Sequence, residues 1–233
     1  PDLPGTGCLI RVLQPAAESV EVLLPASGRR IPAPRDVHGL FTARVDATAS
    51  PDYRLRVTYP GPHVVVMDDP YRYGRVLTDF DVHLITQGAH LRLYDKLGAH
   101  AATIDGVEGY HFAVWAPNAD RVSVIGDFNG WDGRAHPMRR LLPSGAWELF
   151  IPDLADGEKY KFEIRTPEGW LLKKTDPFGT YFEVPPQTAA VVRDIRGYEW
   201  GDGEWMTSRA ARREWHDEPM TVYEVHLGSW ARV

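Results

Sequence analysis

The sequence predicts an all-β fold built from two tandem immunoglobulin-like β-sandwiches. Three observations predict it: 19 prolines and 21 glycines among 233 residues, short alternating apolar runs between the turns, and an internal repeat. Strands separated by turn signals every 8 to 12 residues or so are typical of antiparallel sandwiches. At roughly 150 residues per domain, this length accommodates one or two domains.

The repeat relates the two halves of the chain. Tyr53–Pro60 and Tyr160–Pro167 lie 107 positions apart, and each contains an alternating strand followed by a proline turn. Asp69-Pro70-Tyr71 and Asp176-Pro177-Phe178 keep the same offset. Self-similarity at a fixed separation indicates duplicated architecture, so each half is predicted to form one sandwich.

The first sandwich is predicted at about residues 1–80, and a strap follows it. In the strap, Gln87–His100, three apolar residues fall at helix-like spacing: Leu91, Tyr94 and Leu97. Such spacing indicates one apolar face. The strap is therefore expected to pack on one of the two domains.

The second sandwich is predicted at about residues 106–198, where Phe112, Val114 and Ala116 project to one side of a strand. After it, Glu204–Trp215 is predicted to form a helix. Thr221–Leu227 is rich in β-branched and apolar residues, and is predicted to be the first strand of a further domain.

Composition excludes several classes of function. The formal net charge is −6, with 26 basic and 32 acidic residues, and no long basic run occurs, which argues against a nucleic-acid or anionic-membrane partner. Cys8 is the single cysteine, so no internal disulfide forms and a reducing cytoplasm is the expected compartment. No apolar stretch has the length of a membrane span.

The sequence also lacks familiar catalytic and metal motifs. The nine histidines form no His-x-x-x-His pair, and one cysteine excludes thiolate zinc sites, so no metal site is predicted. No phosphate-binding glycine loop or Gly-x-Ser-x-Gly turn is present. Asp68 with Asp69, and Asp127 with Asp132, stand beside proline or glycine, where carboxylates usually cap turns. They are not predicted to be a glycosidase pair.

One group of aromatic residues points to sugar binding. Trp131 and Trp170 lie in polar turns, with Asn129 and Lys161 as nearby hydrogen-bonding groups. Neutral sugars present apolar C–H faces and a rim of hydroxyls, and an indole offers apolar area together with a polar N–H. The alternative is that both tryptophans pack against a neighbouring domain. Trp147, in an alternating strand, is predicted to lie in the core.

Five motifs together resemble bacterial 1,4-alpha-glucan (glycogen) branching enzymes: Asp69–Gly74, Gly88–His100, Phe112–Asn118, Gly126–Trp131 and Val222–Trp230. The third and fourth are shared with other family 13 glycoside hydrolases that carry a family 48 carbohydrate-binding module, including debranching enzymes and maltooligosyltrehalose trehalohydrolase. The strap and the last motif are more specific to branching enzymes.

The resemblance implies an order of domains. Residues 1–96 would be the N-terminal β-sandwich with its strap, residues 97–200 the family 48 module, and residues 201–233 a linker and the start of the catalytic (β/α)₈ barrel. Val222–Leu227 would be the first barrel strand. In this family the catalytic carboxylates follow later barrel strands, so no residue of this chain is predicted to be catalytic and the chain alone should be inactive.

The implied reaction cleaves an α-1,4 glucosidic bond and transfers the chain to a 6-hydroxyl, with retention and without a cofactor. The implied partners are α-glucans (glycogen, amylose, maltooligosaccharides) and the protein's own catalytic barrel. In related family 48 modules, the positions resembling Trp131, Lys161 and Trp170 contact sugar. The alternatives are a free-standing glucan-binding regulatory module, or the N-terminal part of a debranching enzyme or trehalohydrolase.

Overall fold

The computed structural model describes residues 7–47, 51–61, 63–212 and 219–230. Strands dominate and helices are few, so the predicted all-β class is confirmed. The chain divides into two compact units, residues 1–194 and residues 195–233. No helix in the described ranges is long and apolar enough to span a membrane.

In the described part of the first half of the larger unit there are six strands: β1 (Cys8–Leu13), β2 (Ser19–Leu24), β3 (Arg29–Ala33), β4 (Leu40–Val45), β5 (Arg54–Tyr59) and β6 (His63–Asp68). β1 pairs with β4, and the other four form an antiparallel sheet in the order β3-β2-β5-β6. Buried residues from both sheets, among them Ile10, Val22, Phe41 and Val57, share one apolar core.

Side chains alternate between the two faces of a strand, and this alternation explains how β2 pairs with β5. Val20 pairs with Val57, and both side chains are buried. The next pair, Glu21 and Arg56, points outward, and Arg56 Nη1 lies 2.6 Å from Glu21 Oε2. A one-residue slip would bury these charges, so the pattern specifies the register.

Nine strands form the second half: β7 (Gly98–Ile104), β8 (Val107–Trp115), β9 (Arg121–Gly126), β10 (Arg139–Leu141), β11 (Ala146–Pro152), β12 (Lys159–Arg165), β13 (Leu171–Lys174), β14 (Tyr181–Phe182) and β15 (Ala190–Val191). One sheet has the order β10-β11-β8-β7; the other has β13-β12-β15-β14, with β9 paired to β12. Phe112, Val124, Trp147 and Phe162 belong to their shared core. The predicted core position of Trp147 is confirmed.

The sequence repeat reappears as a repeated buried hydrogen bond. The Tyr53 hydroxyl donates to Asp69 Oδ2 at 2.7 Å, and the Tyr160 hydroxyl donates to Asp176 Oδ2 at 2.6 Å. In each half the other carboxylate oxygen accepts the amide two residues further along, at 2.9 and 2.8 Å. Both halves therefore contain the same Tyr–Asp bond, which links a tyrosine at or just before the start of one strand to the turn that follows the next strand.

The connection between the halves contains a helix that the sequence analysis missed, α1 (Asp79–Gln87). Thr78 and Asp81 form a reciprocal capping box at its start, and Gly88 ends it with a left-handed φ of 66°. The pattern Thr-x-x-Asp is a known helix-start signal, and glycine is favoured at such ends because it lacks a Cβ. Both signals were present in the sequence.

The predicted strap differs from the structure in its apolar face. Leu97 is buried, but Leu91 and Tyr94 are 92% and 62% exposed. The three residues lie on no common helix, because Gly88 terminates α1 and only a short 3₁₀ turn, Leu93–Asp95, follows. The expected packing is nevertheless confirmed, since Leu97 joins α1 in a cluster with residues of β8, β10 and β11.

A buried carboxylate ties this connection to the second half. Glu148, on β11, is 1% exposed, and its Oε2 accepts the amides of Val76 and Leu77 at 3.1 and 2.9 Å. His111 Nε2 lies 3.1 Å from the same oxygen, and Arg139 lies 3.4 Å from Oε1. Burial opposes ionisation, but the hydrogen bonds from His111 and the two amides hold the pKa of Glu148 below its usual value.

The smaller unit contains α2 (Gly203–Ala211) and α3 (Leu227–Trp230). Helix α2 confirms the predicted helix over its described part; residues 213–215 of that prediction lie outside the described residues. The strand predicted at Thr221–Leu227 is wrong, because residues 221–226 adopt no regular structure and Leu227 begins α3. A strand needs a hydrogen-bonding neighbour, and among the described residues none pairs with this segment.

The duplicated Tyr–Asp bond predicts equal effects in the two halves. Tyr53→Phe and Tyr160→Phe each remove a donor to a buried carboxylate, so each should lower the free energy of unfolding by about 1–3 kcal/mol. Tyr181→Phe is the control, because that side chain is 58% exposed. Urea denaturation measures all three. A loss in only one half would contradict the structural equivalence.

The Glu148 site predicts a larger loss of the free energy of unfolding. Glu148→Gln removes the negative charge that accepts hydrogen bonds from two backbone amides and pairs with His111 and Arg139. The free energy of unfolding should fall by about 3 kcal/mol or more. Glu108→Gln, at an exposed position of β8, is the matched control. Unfolding midpoints in urea provide the measurement, and equal midpoints for the two variants would show that the buried carboxylate is dispensable.

Candidate functional site

The candidate sugar-binding residues begin in a turn that follows β9. A 3₁₀ turn at Asp127–Asn129 leads into Gly130 and Trp131, whose φ angles are 63° and 60°. Gly130 adopts this left-handed geometry readily because it lacks a Cβ, and the Trp131 amide closes the turn by donating to Gly126 O at 2.9 Å. The turn therefore determines where the tryptophan leaves the backbone.

The Trp131 side chain is half-buried, and its orientation is fixed by a hydrogen bond. Its Nε1 donates to Asp127 Oδ1 at 2.8 Å. The indole N–H is thus engaged within the turn, and the ring offers its apolar area rather than a donor. The ring face, and not the indole N–H, is therefore what Trp131 presents at the surface.

Asn129 has a role different from the predicted one. Its Oδ1 accepts the Gly126 amide at 2.9 Å, and its Nδ2 donates to Val124 O at 2.9 Å. The same Nδ2 lies 2.8 Å from His136 Nδ1. The amide predicted to face sugar is therefore used to hold the turn, and Asn129 acts on the site by positioning Trp131.

His136 is a site residue that the sequence analysis missed. Burial lowers its pKa to about 4, so the ring is neutral near pH 7 and Nδ1 accepts from Asn129. No spacing signal marks this histidine, because its partner is set by how the chain folds back onto β9. It is a positioning residue for the turn.

The other two predicted residues lie on β12 and in the turn after it. Tyr160 and Phe162 point into the core, so Lys161 points outward, where its Nζ donates to Thr188 Oγ1 at 2.7 Å. Trp170, in the turn between β12 and β13, is 72% exposed. Such a large exposed apolar side chain in a tight turn suits a binding platform.

A groove of about 480 Å³ lies beside Trp131, and we call it the Trp131 groove. Its lining includes Arg121, Trp131, Gly133, Arg134, Glu163 and Leu171. Of the four predicted residues, only Trp131 is among those that line it. The charged residues were missed by the sequence analysis because their partners, such as Arg121 and Glu163 on adjacent strands, are far apart in the chain.

Electrostatics in the Trp131 groove are dominated by paired charges. Arg121 lies 2.6 Å from Glu163 Oε1, and Arg134 lies 2.6 Å from Asp132. The hydrogen bonds from Arg134 lower the pKa of Asp132 to about 2. Both carboxylates can accept hydrogen bonds, and both guanidiniums can donate them.

A second groove of similar volume, about 480 Å³, lies along β14. The exposed aromatic rings of Tyr181 and Phe182 line it. Lys159 and Glu183, which also line it, form an ion pair at 3.0 Å. None of the four predicted residues lines this groove.

Two family models match the chain. Residues 3–71 match the N-terminal domain of alpha-1,4-glucan branching enzyme GlgB, and residues 96–179 match carbohydrate-binding module 48, also described as the isoamylase N-terminal domain. The second match contains Trp131, Lys161 and Trp170.

Similar curated proteins include 1,4-alpha-glucan branching enzymes GlgB from Myxococcus xanthus and Paramagnetospirillum magneticum. The first is 48% identical over 231 residues and the second 50% over 228, covering 98% and 97% of this chain. The chain spans only 31% and 30% of those relatives. A comparable protein from Roseobacter denitrificans is 50% identical over 96% of this chain and 31% of its own.

Among solved structures, a pullulanase from Anoxybacillus sp. LM18-11 complexed with maltotetraose aligns with 82% of this chain and 26% of its own, at 19% identity and a TM-score of 0.38. That likeness is too weak to support an argument. The sequence matches support the branching-enzyme reading over the debranching and trehalohydrolase alternatives, and over nearly its whole length the chain is similar to the N-terminal region of GlgB branching enzymes.

Proposed function

We propose that this chain holds α-glucan for a branching enzyme, which cleaves α-1,4 links and transfers the released chain to a 6-hydroxyl to form the α-1,6 branches of glycogen. The observation that carries the proposal is Trp170, which is 72% exposed within the stretch that matches carbohydrate-binding module 48. Leaving an indole in water is unfavourable, and a sugar face would cover it.

The glucan-holding surface in this proposal consists of Trp170, Lys161 and Trp131. Trp170 provides the open platform. Lys161 can exchange its bond to Thr188 for a sugar hydroxyl, since its ammonium has three donors. Trp131 adds a second aromatic ring in an orientation held by Asp127 and Asn129.

The proposed architecture has three parts. Residues 1–96 and 97–200 form tandem immunoglobulin-like sandwiches, supported by the two sets of strands with separate cores. Residues 201–233 form a linker and the start of a (β/α)₈ barrel, supported by relatives about three times as long.

The role of this chain in the reaction is to tether substrate. The retaining chemistry uses carboxylates, and we assign none of them to this chain, which is expected to be inactive alone. A bound glucan raises the local concentration of its own further segments near the barrel without contacting the reacting bond. We propose a cytoplasmic location, in line with the single Cys8.

Glucan binding is tested by native gels that contain glycogen or amylose. The chain should be slowed, and Trp170→Ala or Lys161→Ala should weaken the apparent affinity by about fivefold to tenfold, equivalent to about 1 kcal/mol. Trp200→Ala is the matched control, because that tryptophan is 76% exposed but lies in the smaller unit. Equal retardation of all variants would remove Trp170 and Lys161 from the site.

His136 should make the stability of the folded chain depend on pH. Its pKa is lowered from the usual 6.5 to about 4 in the folded state, so the unfolded chain binds more protons between these values. Stability is therefore complete above about pH 6.5 and falls as the pH decreases towards about 4, by up to about 3 kcal/mol. Glucan affinity of the folded chain should hold until the pH approaches about 4, where His136 takes up its proton in the folded state and the turn that holds Trp131 loosens.

Thermal unfolding and gel retardation across this range measure both effects. His136→Gln should flatten the pH profile, whereas His63→Gln, at an exposed position on β6, should leave it as in the unmodified chain. A profile that His136→Gln does not alter would assign the pH dependence to other groups.

A further inference from the structure

We infer that Asp68 and Asp153 form a proton-linked contact between the two halves of the larger unit, which is tight when the two carboxyls share one proton and weaker when both are ionised. Asp68 ends β6 in the first half, and Asp153 follows β11 in the second half. The two side chains are in hydrogen-bonding contact with each other. A carboxylate has no hydrogen to donate, so a hydrogen bond between two carboxyls requires a proton on one of them.

A turn with an unusual backbone conformation carries Asp153. Its φ is 55°, a left-handed value that is unfavourable for most non-glycine residues but is adopted more often by aspartate and asparagine. The Asp153 amide donates to Glu108 O at 2.9 Å, so a hydrogen bond to β8 holds the turn. The second half therefore determines where the Asp153 carboxyl lies, and the first half supplies its partner.

Asp68 is buried, and its positive neighbours compensate its charge incompletely. Its side chain is only 5% exposed. Arg54 Nε and Arg72 Nη2 lie 3.4 and 3.6 Å from its oxygens, beyond the distance of about 2.7–3.2 Å of a good N–H···O hydrogen bond. The Arg72 guanidinium also pairs with Asp52 and donates to the Tyr73 hydroxyl at 2.6 Å. Asp68 therefore shares this guanidinium with two other acceptors.

Both carboxyls lie close enough to the Tyr73 hydroxyl to influence its pKa. Burial raises that pKa, a hydrogen bond from Arg72 lowers it, and the charges of Asp68 and Asp153 raise it further. The Tyr73 ring packs edge-on against Phe150 of β11, with ring centroids 4.8 Å apart. The Asp68–Asp153 pair thus lies beside the place where the connecting segment contacts the second half.

The direction of the pH dependence follows from the pKa of Asp68. Burial raises this pKa, Arg54 opposes the shift, and the charge and hydrogen bond of Asp153 add to it. The charged and titratable groups around the pair are Asp52, Arg54, Asp69, Arg72 and Tyr73. The stabilisation by the bound proton is complete below the ordinary pKa of 3.8 and is lost as the pH rises through the folded-state pKa. At neutral pH two like charges remain in contact, which is unfavourable.

Asp153→Asn tests the contact. Asparagine tolerates the same left-handed conformation, and its amide can always donate to Asp68, whereas the carboxyl donates only when it is protonated. At about pH 7.5 the variant of the 233-residue chain should melt about 2 °C above the unmodified chain. This difference should disappear as the pH approaches about 4, where the unmodified pair holds its proton. Thermal unfolding measures both values, and effects of His136 cancel because both chains contain it.

Asp105→Asn is the matched control. Asp105 has nearly the same φ, 51°, but it is exposed in the turn between β7 and β8, so its replacement should leave the melting temperature unchanged. An equal rise in both variants would assign the gain to the left-handed backbone alone and overturn the inference. A decrease for Asp153→Asn at about pH 7.5, or the same difference at both pH values, would also overturn it.

A titration of the carboxyl ¹³C signals by NMR follows the proton directly. Asp153→Asn removes a like charge and adds a donor, so the Asp68 midpoint should fall relative to the unmodified chain, whereas Asp105→Asn should not move it. An unchanged Asp68 midpoint in Asp153→Asn would overturn the inference. If Asp153→Asn does not fold, Asp153→Gly replaces it, because glycine adopts this φ freely and has no carboxyl. The Asp68 midpoint should then fall in the same way, and an unchanged midpoint would have the same meaning.

Discussion

The larger unit depends on one buried ion, the carboxylate of Glu148. A charge with 1% exposure is tolerated only when its oxygens are saturated by donors, and here two of those donors are the amides of Val76 and Leu77. The segment between the halves must therefore follow one path. That path seats Leu77 and α1 on the outer face of β8 and β11, where Ala113 and Ala146 are fully buried. All the candidate sugar contacts belong to the opposite sheet and to the turns that leave it.

Duplication shows which residues distinguish the half that carries the proposed glucan platform from the other half. The Tyr–Asp bond is the same in both halves, so the strands and turns it joins are equivalent. At the common offset of 107 positions, Trp170 corresponds to His63 and Lys161 to Arg54. The first half thus has the same framework with other side chains at the two equivalent positions. Shared architecture does not require a shared function, because function depends on the residues at a few turn and outward-facing positions.

The sequence predicted correctly those structural features that depend on residues close together in the chain. Alternation was sufficient for the strands and for Trp147, and turn chemistry was sufficient for the exposure of Trp170. The structure departs from the sequence reasoning where a distant partner decides. The amide of Asn129 is occupied by Val124 and His136, and the charges of the Trp131 groove pair across strands. The strand predicted at 221–227 had the right composition, but its formation requires a neighbour that the described residues do not supply.

The position of Trp131 shows how the turn and the site are connected. A φ of 60° at a non-glycine residue destabilises the fold by about 1 kcal/mol. Such a conformation persists only where surrounding hydrogen bonds hold the backbone in it. Those bonds are made by Asn129 to Gly126 and by the indole to Asp127. The ring is therefore oriented by hydrogen bonds within its own turn rather than by burial in the core. A half-buried ring held in this way can meet a ligand without rearranging, so little binding energy is spent on ordering it.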